Sequence, residues 1–131
     1  MTQRLDEKRD SSSPDGAALP AFSRLAEGDF HACLAAAPGM AVVLFSAPHC
    51  GACRAWKGLL PEALSGLAHA LFEVDVSEAT GMARYFGIFH LPTVYLYRDG
   101  RFHAELQCEA RQAAIRQAVQ SLLAAPTQDE P

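Results

Sequence analysis

The chain has 131 residues, half of them apolar and 20% charged, and a formal net charge of −4. That is the size of one domain, too apolar for a disordered chain and too poor in Gly and Pro for a low-complexity one. Among its basic residues only Lys8 and Lys57 are lysines and the arginines are scattered, which argues against a nucleic-acid partner, since phosphate contacts supply most of that affinity.

Taken in chain order, residues 1–18 read as a disordered tail of mixed charge with a Ser run and Pro14-Asp15-Gly16. They hold no apolar stretch of the kind a secretory signal needs. Ala21 to Leu25 has the length of an edge strand. Asp29 can cap a helix through Ala36, stopped by Pro38-Gly39. Met40 to Ser46 (MAVVLFS) is a continuous apolar run and reads as a strand buried on both faces. It is also the longest apolar run and far short of the roughly 20 residues of a membrane helix. A helix from about Cys50 carries Ala52, Trp56, Leu59, Leu60, Leu64 and Leu67 on one side, with a kink or break expected at Gly58 and Pro61. Leu71 to Val76 is a second buried strand, and Ser77 caps a short helix ending at Gly87. Tyr85, Phe86 and Phe89 fit a helix end covering the sheet. Thr93 to Tyr97, the turn Asp99-Gly100 and Arg101 to Gln107 form a hairpin. The last helix, about Glu109 to Ala124, sets Ile115, Ala118, Val119 and Leu122 on one face, and residues 125–131 read as a second disordered tail.

The order β-α-β-α-β-α-β-β-α needs helical crossovers for its parallel part and adds an antiparallel hairpin. An α/β domain over residues 19–124, with a mixed central sheet and helices on both faces, is the expected architecture. No membrane or nucleic-acid partner and a cytoplasmic location are the expectations from composition.

Four cysteines, Cys33, Cys50, Cys53 and Cys108, are too few and too uneven for a disulfide scaffold, so they read as core thiols, metal ligands or redox groups. Cys50-Gly51-Ala52-Cys53 falls where a central strand ends and a helix begins. Open α/β sheets place their sites there, and the free N–H groups and dipole of a helix start stabilise an anion. A thiolate at Cys50 is such an anion, and a lowered pKa makes it nucleophilic at neutral pH. The second sulfur, one helical turn on, can reach the first. A zinc half-site is the competing reading, although zinc wants four ligands and there is no second CxxC. A core-thiol reading serves either cysteine alone.

The stretch SAPHCGACRAW after an apolar strand, with FGIFHLPTVYLYRDG further on, resembles the thioredoxin family over about residues 21–124. The resemblance implies a thioredoxin-like fold and a thiol–disulfide oxidoreductase acting on protein disulfides. It implies Cys50 as the exposed attacking cysteine and Cys53 as the buried resolving one, which together form a redox-active disulfide. Pro92 becomes a cis-proline beside that disulfide, and Leu91 offers backbone groups to an extended substrate segment flanked by His49 and Thr93. No cofactor and no metal are implied. Protein disulfides are the partners, together with a recycling reductase or dithiol donor.

The sequence departs from the family at several positions. Ala52 replaces the usual proline between the cysteines and leaves an N–H near the sulfurs, which favours a thiolate and a more oxidising disulfide. His49 replaces a tryptophan. If cationic it lowers the Cys50 pKa; otherwise it faces solvent. The buried aspartate of reducing members is Leu44 here, and its lysine partner falls at about Leu71, so both halves of the pair are missing together. Ser46 stands where a second tryptophan is common. Cys108, at the groove rim, and His90 are candidate auxiliary residues, as a third redox thiol or Cys/His site, against a strand-end thiol that merely packs. Cys33 reads as core, Trp56 as core or groove wall, and His31 and His103 as surface residues. Two further functions stay open: a binding or chaperone module of the same fold with little turnover, and a metal or cluster carrier using Cys50 and Cys53, with or without Cys108 and a histidine.

Overall fold

The computed structural model describes residues 20–131. The expected N-terminal tail and Leu19 lie outside the described residues. A five-stranded sheet has the order β1-β3-β2-β4-β5, built from β1 (Phe22–Arg24), β2 (Met40–Ser46), β3 (Ala70–Asp75), β4 (Thr93–Arg98) and β5 (Arg101–Leu106). β1, β3 and β2 are parallel, and β4 and β5 add antiparallel strands. The parallel crossovers carry α1 (Phe30–Ala36) and α2 (Gly51–Ala63), α3 (Thr80–Phe86) leads to β4, and α4 (Gln112–Ala124) closes the chain. The expected mixed sheet covered on both faces is what forms. No helix among the described residues is long and apolar enough to cross a membrane.

Side chains alternate across each strand, so β2 feeds two cores. Val42 and Leu44 face α2 and α4 and pack with Leu71, Leu96, Leu60 and Ile115. Val43 and Phe45 face α1 and α3 and meet Phe30, Val74, Tyr95 and Phe86. Every residue of β2 is buried, which is what its unbroken apolar sequence requires. Asp99 and Gly100 both take positive φ, the geometry of the tight hairpin turn that their sequence announces.

Several local expectations are corrected. α2 is not broken at Gly58 or Pro61 but runs on to Ala63. Pro61 sits in the last turn and forfeits one helical hydrogen bond there, to the Lys57 carbonyl, but the buried side chains of Trp56, Leu60 and Ala63 hold both sides of it to the core. α3 begins at Thr80, not Ser77, because Ser77 is otherwise engaged: its N–H and its hydroxyl both donate to Asp75 Oδ1, at 2.9 and 2.6 Å. α4 likewise begins later than expected, at Gln112.

His103 is 3% exposed, not a surface residue. The β4–β5 register shifts between Leu96, paired with Ala104, and Tyr97, paired with Phe102, so His103 is the extra residue of a bulge. A bulge re-aims side chains, and the His103 ring turns to the Leu122 carbonyl, 2.6 Å from Nε2, and to Thr127 Oγ1, 3.1 Å from Nδ1. The segment after residue 124, read as a free tail, lies along β5: the Gln128 N–H donates to the His103 carbonyl at 2.7 Å, and the Glu105 N–H donates to Gln128 Oε1 at 3.0 Å.

Candidate active site

Cys50 ends the loop that leaves β2 and is the N-cap of α2. Its backbone is extended while the residues after it are helical, so its side chain is directed back over the first helical turn. Cys50 Sγ accepts a hydrogen bond from the Cys53 N–H at 3.1 Å. The two sulfurs are joined in a disulfide, with the Cα atoms 5.2 Å apart. Their surroundings differ: Cys50 is half-buried, and Cys53 is 4% exposed within the helix face that also buries Trp56 and Leu60. One sulfur can meet a large partner and the other cannot.

The Leu91–Pro92 peptide bond is cis. His90 and Pro92 line a cavity of about 330 Å³ whose far wall is Trp56, Leu106 and Cys108. Trp56 is thus both core and groove wall. Thr93 is buried and donates its hydroxyl to the His90 carbonyl at 2.7 Å, which ties the loop to the start of β4. Thr93 is a brace within the loop; its hydroxyl is taken by His90. His49 is exposed, with φ of 65°, and Leu91 is half-buried.

His90 and Cys108 do share one cavity. Burial pushes the Cys108 thiol up, and the neighbouring Glu109 adds to this. Cys108 also packs against the apolar cluster of α2 and α4. No group of three His, Cys, Asp or Glu residues among the described ones is placed to hold a metal ion. Cys33 is half-buried against the aromatic core on the other face of the sheet, away from this site.

Leu44 and Leu71 are fully buried in the apolar cluster that contains Trp56, so the positions that carry charge in reducing relatives are apolar here. A buried acid nevertheless stands beside them. Glu73 is paired with Leu44 in the β2–β3 register, one strand over, and is 9% exposed. Lys57 Nζ lies 2.8 Å from it and the Ser46 hydroxyl donates to it at 2.8 Å, while Arg24 approaches at 3.9 Å. Burial alone raises the Glu73 carboxyl, but the hydrogen bonds from Lys57 and Ser46 and the charges of Lys57 and Arg24 hold it below its ordinary value. Lys57 is on α2, one turn beyond Cys53. This pair was missed in the sequence, although a Glu in the middle of a strand read as buried on both faces is a signal that some cation must come to it.

The Thioredoxin family model matches residues 21–121. The chain belongs to the thioredoxin family. Protein disulfide-isomerase A3 of Gallus gallus is 35% identical over 82 residues, which are 58% of this chain and 15% of that protein. The chain therefore spans less than a sixth of that relative. Among solved structures, reduced Schistosoma mansoni thioredoxin pre-protein superposes with a TM-score of 0.65 at 23% identity, covering 78% of this chain and 98% of the other. Thioredoxin f of spinach chloroplast gives 0.66 at 18% identity, over 80% and 96% of the two chains. These likenesses establish the fold, and a CxxC disulfide in a thioredoxin fold is the apparatus of a thiol–disulfide oxidoreductase.

Proposed function

We propose that this thioredoxin-family chain exchanges disulfides with protein substrates through Cys50 and Cys53, and that the observation carrying this is the asymmetry of the pair. In the reduced protein Cys50 is the attacking thiolate. The Cys53 N–H and the positive end of α2 face its sulfur, and both favour the anion. The thiolate attacks one sulfur of a substrate disulfide and expels the other as a thiolate, leaving a mixed disulfide on Cys50. Cys53 then loses its proton and attacks Cys50 Sγ. The substrate leaves with both its cysteines reduced and Cys50–Cys53 is oxidised. Run backwards, the same two steps oxidise a dithiol. The backbone of Leu91, which precedes the cis Pro92, is the place this reading assigns to an extended substrate segment. A reductase or dithiol donor must return two electrons after each reducing cycle.

Ala52 is the second residue of α2, so its N–H has no acceptor inside the helix and lies in the turn beside the sulfurs. It favours the reduced, thiolate form and sets the pair to be more oxidising than thioredoxin, whose potential is about −270 mV. Titration against glutathione, with thiol trapping and mass spectrometry, measures this directly. A potential well above about −270 mV is the expected result, and one at or below it removes the oxidising bias. Absence of any Cys50–Cys53 disulfide at every poise would sink the dithiol mechanism and leave a binding role.

A further inference from the structure

Residues 87–92 contribute to two separate cavities. His90 and Pro92 belong to the one beside Trp56 and Cys108. Gly87, Ile88 and Phe89 close a second, of about 320 Å³, whose opposite side is Val76, Ala83 and Arg84. Both lie at the disulfide end of the sheet, since the Val76 N–H donates at 2.8 Å to the carbonyl of Ser46, from which the Cys50 loop departs.

The second cavity has features that packing alone does not account for. Phe89 was expected to cover the sheet, and Phe86 does so, but Phe89 is 94% exposed at the cavity's edge. Its ring lies over Gly87, where a Cβ would stand 3.7 Å from Phe89 Cε2. The walls are mostly apolar, and Arg84 is the single charged residue among them. An apolar recess with one exposed cation at its side fits an apolar side chain with a carboxylate close by.

We infer that this cavity is a docking subsite for the polypeptide whose disulfide is exchanged, taking a large apolar or aromatic side chain of an extended segment with an acidic neighbour facing Arg84. The inference rests on the thiol–disulfide reading above. Phe89 precedes Leu91 by two residues, so a strand paired along the loop reaches it within about 7 Å of extended chain.

Two disulfide peptides test it, one carrying Phe-Glu three residues from the cysteine on either side and the other Ala-Gln at the same places, with oxidised glutathione as a disulfide too small to dock. For the full chain, kcat/KM for the Phe-Glu peptide is expected to exceed that for the Ala-Gln peptide at least fivefold, mainly through KM. Ala83→Phe, which fills the recess from α3, lowers the ratio of Phe-Glu peptide rate to glutathione rate by a similar factor. Arg84→Glu, an exposed change that spares the fold, shifts preference from Phe-Glu to Phe-Lys. Equal rates for the two peptides overturn the subsite, as does a concentration-dependent dimer that Phe89→Ala abolishes, since a second copy is then the occupant. Binding of both peptides to Cys50→Ser, followed by fluorescence anisotropy, separates the two readings. Selective binding without any exchange by the unmutated chain overturns the proposed chemistry and keeps the subsite, and unselective binding overturns the subsite.

Discussion

Cys50 and Cys53 are the same residue in opposite surroundings, and the separate roles proposed for them rest on that. Cys50 is accessible and faces an N–H; Cys53 is buried in the helix face that packs on the sheet. Cys53→Ser is expected to stall the reaction at the mixed disulfide, which accumulates on Cys50 and is visible as an added mass after incubation with a disulfide peptide. Cys50→Ser is expected to abolish exchange, and if turnover survives it, the attacking group is another thiol. Tyr97 shows the converse case of a residue at odds with its surroundings. Its ring packs edge-on against Phe30 and Phe102, and its buried hydroxyl has no hydrogen-bond partner among the described residues. A buried unpaired polar group costs about 1–3 kcal/mol, so Tyr97→Phe is expected to raise stability by about 1 kcal/mol in urea unfolding. A loss of stability would mean that the hydroxyl has a partner in solution.

At the scale of elements, α2 is held to the sheet by two different means. Its apolar face packs on β2 and β3, and Lys57 ties it to Glu73 across the same interface. Lys57 is close to half exposed, so the pair lies between a surface and a buried salt bridge. Lys57→Met is expected to cost on the order of 1–2 kcal/mol in stability, since it leaves the carboxylate with Ser46 and the more distant Arg24. The pH dependence has a definite sign. Glu73 is held below its ordinary value of 4.5 in the folded protein, so its contribution is complete above that value and is lost as the pH falls through the lower folded one. Asp75, lowered chiefly by the Ser77 hydroxyl, acts in the same direction from its ordinary value of 3.8. The melting temperature should therefore hold steady from neutral pH to about 4.5 and fall below it. Glu73→Gln should flatten the fall, and an unchanged acid slope in that variant would show that the pair does not couple to folding.

For the whole molecule, the sheet has two edges, and the described chain deals with the β5 edge through its own C-terminal segment. Gln128 offers β5 one donor and one acceptor, and Thr127 meets the ring of His103. Truncation after Ala125 removes these bonds and uncovers strand hydrogen-bonding groups. It is expected to cost about 1–2 kcal/mol and to produce self-association in sedimentation experiments. A truncated chain as stable and monomeric as the full one would show that the segment is ornamental.

Much of this was legible in the residues themselves. The unbroken apolar run Met40–Ser46 reads as a buried strand, the Asp99-Gly100 pair as a tight hairpin turn, and Cys50-Gly51-Ala52-Cys53 as a helix-start dithiol in competition with a zinc half-site. Each depends on neighbours in the chain, and local interactions write themselves into local sequence. The bulge at His103 and the docking of Gln128 on β5 depend on partners some 20 residues away. The Lys57–Glu73 pair and the exposure of Phe89 beside α3 likewise arise only when separate elements meet. No periodicity records such meetings. The sequence by itself determined the family, the order of the elements and the CxxC pair. Tertiary structure decided which buried charge stands near that pair, which histidine is core, and where an aromatic ring is left facing water, because burial and ion pairing are set by what packs across the sheet.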